Sequence, residues 1–213
     1  MNDAPYPTTQ KGQHPSSHAR DDLAAYISVD IEASGPNPSQ YSLLAIGACT
    51  LLQPPQTFYI ELKPVHENAI AEALAIHGLS LQRLRETGVE PAEAMTQFAA
   101  WLERVVPHEH RPIFVSFNAP FDWMFVNDYF HRYLGYNPFG HTALDIKAFY
   151  MGLTGVSWHQ TTMNALAPRY LEGQPLSHHA LRDALDQATL FRKLLDELPL
   201  ARSPASSRKR TKE

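Results

Sequence analysis

Residues 26–35 read YISVDIEASG, and this stretch decides the fold. Tyr26, Ile27 and Val29 favour a strand that the core covers, while Ser34, Gly35 and Pro36 end it in a turn. Side chains alternate across a strand, so Ser28, Asp30 and Glu32 share one face and Ile27, Val29 and Ile31 share the other. Two carboxylates therefore stand on one side of a buried strand. Two residue rises separate them by about 7 Å, too far for a hydrogen-bonded acid pair but suited to flanking cations roughly 4 Å apart. Asp-x-Glu alone is common at strand ends, so the rest of the chain has to supply the remaining members of such a site.

Working outward, LLAIGACTLL and TFYIELK supply a second and a third strand, set off by the turn-prone GPNPSQYS and QPPQ, which predicts an antiparallel meander. ENAIAEALAIHG reads as a helix closed by Gly78. PAEAMTQFAAWLERVV opens with Pro91 and sets Met95, Phe98, Ala99, Leu102, Val105 and Val106 at helical spacing. PIFVSF is apolar throughout, as an inner strand covered on both faces should be. NAPFDWMFVNDYFHRYLG reads as a helix capped by Asn118 and ended near Gly135, TALDI as a fifth strand, and SHHALRDALDQATLFRKLLDEL as a closing helix with Ser177 as its N-cap. The predicted fold is α/β: a mixed five-stranded sheet flanked by helices.

Length and charge bound the rest. With 213 residues, 44% of them hydrophobic, the chain suits one large domain, placed at residues 21–200 between a disordered N-terminal segment (1–20) and a basic disordered tail (201–213). The net charge is -4, yet the tail carries five Lys/Arg against one Glu and the first 20 residues carry Lys11 and Arg20 against Asp3, leaving -9 on the body. An acidic body argues against indiscriminate binding of duplex through a broad basic face. No stretch is long and apolar enough to span a bilayer and the N-terminus lacks the apolar region of a secretory signal, so the expected location is cytoplasmic, with no membrane partner. The lone Cys49 excludes an internal disulfide and a Cys-rich zinc cage, and reads as core packing.

Two more acids join the first pair. Asp122 falls in FNAPFDWMF, in the opening turns of the helix that leaves PIFVSF, where the helix dipole favours an anion. Asp183 falls at the edge of the stripe formed by Ala180, Ala184, Gln187 and Phe191. His179 precedes Asp183 by four residues and His178 by five, and an imidazole here can take a proton near neutral pH. Neither His-Glu-x-x-His, a Cys pair nor a His-Asp dipeptide occurs, which disfavours a zinc hydrolase and a His-Asp phosphohydrolase.

In order and spacing, VDIEASG, FVSFNAPFDWMFVNDYF and SHHALRDA resemble the three motifs of the DnaQ-like, or DEDDh, 3′-to-5′ exonucleases of the ribonuclease H-like superfamily, over about residues 24–195. AIHGLS, residues 75–80, matches a further element of that family. The resemblance implies that Asp30, Glu32, Asp122 and Asp183 hold two Mg²⁺ or Mn²⁺ ions and that His178, at the His-x4-Asp spacing, is the general base. His179 occupies the spacing of a tyrosine in the sister group, which leaves a swapped assignment open. It also implies contacts to the terminal nucleotide from His77, Asn118, Phe121, Ala33 and Ser34. Ala33 stands where threonine is usual, Phe117 where histidine often stands and Ala45 where an acid often stands; these departures bear on the nucleotide pocket rather than on the ligands. The implied activity is two-metal hydrolysis of single-stranded DNA or RNA from the 3′ end, releasing nucleoside 5′-monophosphates. The alternatives are an RNA-trimming enzyme similar to RNase T and an inactive nucleic-acid-binding domain of the same fold.

Overall fold

The computed structural model describes residues 23–173 and 177–198, so the segments 1–20 and 201–213 lie outside the described residues. Its elements are β1 (Tyr26–Ala33), β2 (Leu43–Thr50), β3 (Thr57–Glu61), α1 (Ala71–His77), α2 (Leu81–Thr87), α3 (Pro91–Val105), β4 (Ile113–Ser116), α4 (Ala119–Leu134), β5 (Ala143–Asp145), α5 (Ile146–Thr154), α6 (Met163–Tyr170) and α7 (Ala180–Asp196), with a 3-10 turn at Trp158–Gln160. One five-stranded sheet runs β3-β2-β1-β4-β5. The meander β1-β2-β3 is antiparallel and β4 and β5 are parallel to β1, which is the predicted mixed sheet. Among the described residues no helix is long and apolar enough to cross a membrane.

Each face of the sheet is sealed by its own helices. Ile27, Val29 and Ile31 pack with Phe98 and Leu102 of α3 and Phe125, Tyr129 and Phe130 of α4. On the opposite face Cys49 and Val115 meet Ile146, Leu166, Tyr170 and the α7 residues Ala184, Ala188 and Phe191. Every residue of β2 is buried, the pattern of a strand covered on both sides. Each Leu, Ile or Phe so enclosed contributes about 1.5–3 kcal/mol from removal of apolar surface from water.

Gly47 fixes how closely α7 approaches. It pairs with Asp30 across β1 and β2, and a Cβ placed on it would lie 2.1 Å from Leu181 N and 2.4 Å from Ala180 O. Only glycine lets the first turn of α7 rest on the sheet backbone at this point. Ser28 Oγ then donates to Ala184 O at 2.8 Å, tying the helix to β1.

Two expected caps differ. The closing helix starts at Ala180 with His179, not Ser177, as its N-cap. Asp183 is the reason: one carboxylate oxygen accepts from Ser177 N at 2.8 Å and Ser177 Oγ at 2.9 Å, and the other accepts from His178 N at 2.9 Å. This folds the loop back over the first turn and drives His178 to a φ of 54°. Asn118 does precede α4, but at φ 70° and with no side-chain cap bond; Asp145 accepts from Ala119 N at 2.7 Å in its place.

Candidate active site

β1 presents Asp30 and Glu32 on the α7 face of the sheet, and the first turn of α7 brings Asp183 above them. The three carboxylates place ligand oxygens within 4.8 Å of one another, although Asp183 is about 150 residues away in sequence. All the donors are hard oxygens, the set that suits Mg²⁺ or Mn²⁺. Asp122 adds its charge to this trio, acting on both Asp30 and Glu32. It is buried, with one oxygen accepting from Ile31 N at 3.1 Å and the other from Ser116 Oγ at 2.5 Å.

The charges confirm how crowded the acids are. Burial raises Asp30 well above the ordinary carboxylate range, and Asp122, Glu32 and Asp183 push it the same way, against the Gln187 amide. Burial first, then Asp183 and Asp122, raise Glu32 to about 8. Burial lifts Asp122 to about 7, opposed by its hydrogen bonds from Ser116 and Ile31. A site that strains against holding its own charges is one that divalent cations would relieve.

The imidazoles sort by their surroundings. His179 stacks on Tyr59, ring centroids 4.8 Å apart and planes 21° from parallel, and is thereby committed to the β3 edge. His178 is exposed on its folded-back loop, and its charge bears on His77. Leu79 N donates to His77 Nδ1 at 3.1 Å, so the neutral ring carries its proton on Nε2, which faces Ala33 O at 3.4 Å. Burial lowers the His77 pKa, with the Ala33 carbonyl opposing and His178 adding to the shift, which keeps this tautomer neutral.

The expected nucleotide contacts fall in different settings. Ala33 is buried and offers its carbonyl to His77. Ser34 is fully buried; its hydroxyl donates to Asn68 O and accepts from Ser42 N, so it braces the turn. Asn118 is exposed, and Phe121 is half-buried, edge-on to Phe125 at 5.5 Å. Sequence reasoning gave Gln187 only a place on the α7 stripe. Its Nε2 donates to Asp30 Oδ1 at 2.6 Å and its Oε1 accepts from Phe117 N at 2.9 Å, so it joins β1, β4 and α7 at the cluster. A glutamine four residues beyond Asp183, on the same helix face, was the available signal.

Comparison with known proteins agrees with this geometry. Residues 27–191 match the RNase_T family model, described as an exonuclease. The chain is 46% identical over 179 residues to the 3′-5′ DNA exonuclease Cap18 of Escherichia coli, an alignment covering 84% of this chain and 95% of that one. The nuclease domain of 3′hExo, a DEDDh family member bound to rAMP, superposes with a TM-score of 0.66 at 15% identity, covering 81% of this chain and 92% of that chain. Exonuclease I of E. coli in complex with a dT13 oligonucleotide superposes with a TM-score of 0.60 at 18% identity, covering 81% of this chain and 41% of that chain. At such identities these two likenesses speak for the fold.

Proposed function

The chain belongs to the RNase_T family of exonucleases and is a 3′-to-5′ exonuclease; from that premise we propose that it trims single-stranded DNA, releasing nucleoside 5′-monophosphates. The observation that carries the chemistry is the meeting of Asp30, Glu32 and Asp183 within 4.8 Å. The assignment to DNA is supported by the relative Cap18, a DNA exonuclease matched over nearly its whole length.

Asp30, Glu32, Asp122 and Asp183 would hold two Mg²⁺ or Mn²⁺ ions. When bound, such ions neutralise the phosphodiester, activate water and stabilise the departing 3′ oxygen. The protein's own part is to orient and to move one proton. Gln187 holds Asp30 by one oxygen and so fixes the direction of the other. Asp183 pins the backbone of Ser177 and His178, which puts His178 on a short leash beside the cluster. His178 takes the proton of the attacking water as general base. His77, held neutral against Ala33 O, borders the terminal nucleotide together with Phe121 and Asn118.

The test is incubation of purified protein with 5′-labelled single-stranded DNA and RNA in Mg²⁺, Mn²⁺ or EDTA. Laddering from the 3′ end of DNA, dependent on cation and lost in Asp30→Ala, is expected. Faster trimming of RNA than of DNA overturns the substrate assignment, and equal cutting by Asp30→Ala overturns the site.

A further inference from the structure

A line of side chains runs outward from the carboxylate cluster along the parallel half of the sheet, and the chemistry above uses none of them. Phe117 follows β4. Its N–H is bonded to the Gln187 amide that also holds Asp30, so its backbone stands one side-chain amide away from the ligands. The ring is half-buried against the α5 to α7 side of the sheet, the side on which Asp30 and Glu32 project. Lys147, in the first turn of α5, places its ammonium 6.0 Å from the Phe117 ring centroid and 4.4 Å from that of Trp158. Among the described residues no carboxylate pairs with this ammonium. Asp145, two residues before it, directs its oxygens to Ala119 N and Ala148 N.

Trp158 is 48% exposed. Scattered surface aromatics are ordinary, but this one is mounted on a fixed turn. Ser157 and Gln160 cap each other across the 3-10 turn, and the Trp158 carbonyl accepts from Thr161 Oγ1 at 2.7 Å, with Thr161 itself fully buried. The ammonium lies 4.4 Å from the centroid of an indole that stays 48% exposed. An exposed indole ring can stack on any base, because every base has a π-face. A cation free of carboxylates, on a body whose net charge is acidic, is where a phosphate would be held.

We infer that Phe117, Lys147 and Trp158 form a subsite for the strand on the 5′ side of the scissile phosphate, with a base stacked on Trp158 and a backbone phosphate on Lys147. This rests on the single-strand reading above and extends it to the nucleotides that are not being cleaved. Such a subsite reads no base edge, since a ring face and an ammonium contact only the π-face and the phosphate.

The test compares wild type with Trp158→Ala, Trp158→Phe and Lys147→Met on a dT12 strand and on the p-nitrophenyl ester of thymidine 5′-monophosphate, which has no upstream nucleotide. For dT12, KM should rise about tenfold in Trp158→Ala and in Lys147→Met with kcat little changed, Trp158→Phe should recover most of the loss, and cleavage of the ester should be unaffected. A wild-type KM on dT12, or an equal loss on the ester, overturns the subsite. Binding is read separately by tryptophan emission in an Asp30→Asn background; Trp101 is buried and Trp123 half-buried, so Trp158 is the exposed reporter. Quenching by dT12 that disappears with Trp158→Phe supports the subsite, and quenching that persists, or no binding at all, overturns it. If wild type trims no strand, the substrate reading fails and the emission titration still decides the subsite.

Discussion

Gln187 Nε2 lies 2.6 Å from Asp30 Oδ1, and because its Oε1 accepts from Phe117 N–H the amide can face only one way. Gln187→Leu removes the donor to Asp30 and leaves the Phe117 N–H unpaired, a change of about 1–3 kcal/mol. The expected result is a roughly tenfold loss of kcat/KM and a raised Mg²⁺ concentration for half-maximal rate, with little change in the KM for DNA. Steady-state rates across a Mg²⁺ titration check it; an unchanged Mg²⁺ requirement would show that the amide does not orient Asp30.

His178 and His179 should separate cleanly. His178→Ala is expected to lower kcat by about 10²–10⁴ while Mn²⁺ binding, followed by calorimetry, is kept. His179→Ala removes a ring that stacks on Tyr59 and should cost far less. The reverse ranking would assign the proton transfer to the other imidazole.

Asp122→Asn tests charge apart from shape. An asparagine can still accept from Ile31 N and turn its amide towards the Ser116 hydroxyl, so the fold is expected to hold. Activity should fall by at least about 100-fold. In EDTA at pH 8 the variant should melt above wild type, because Asp122, raised to about 7, is a carboxylate that the buried site disfavours when charged. Melting below wild type would mean that the carboxylate is structural.

The same crowding sets how the metal-free protein responds to pH. Glu32 is raised from 4.5 to about 8 and Asp122 from 3.8 to about 7, so between those limits the folded state keeps protons that the unfolded chain has released. Stability therefore falls as pH rises through this window, with the sign opposite to that of an ordinary ion-paired carboxylate. A Tm drop on the order of 5 °C from pH 5.5 to 8.5 is expected in EDTA, and Mn²⁺ should remove most of it. Calorimetry that shows a rising Tm over this range would refute the reading.

The strands were legible because apolar runs and helical spacing are local signals carried by stretches such as LLAIGACTLL and PAEAMTQFAAWLERVV, and the meeting of Asp30, Glu32 and Asp183 was legible in the motifs that carry them. Helices α2, α5 and α6 went unread. α2 buries only Leu84, and α6 carries Pro168 inside it, so neither announces itself by periodicity. The misplaced cap at Ser177 has a local cause that periodicity does not show: Asp183, six residues on, captured the groups that would otherwise have begun the helix. The bonds of Gln187 to Asp30 and Phe117, and of Asp122 to Ile31, join partners far apart along the chain that no local window contains.

With no side chain at Gly47, main chain meets main chain, and the spacing of Asp183 above Asp30 is set by the thickness of two peptide backbones. A redesigner could therefore exchange packing residues on either flank and leave the acids' separation intact. Adding even one methyl at this position would lift the helix like a shim under a hinge and open the ion cradle.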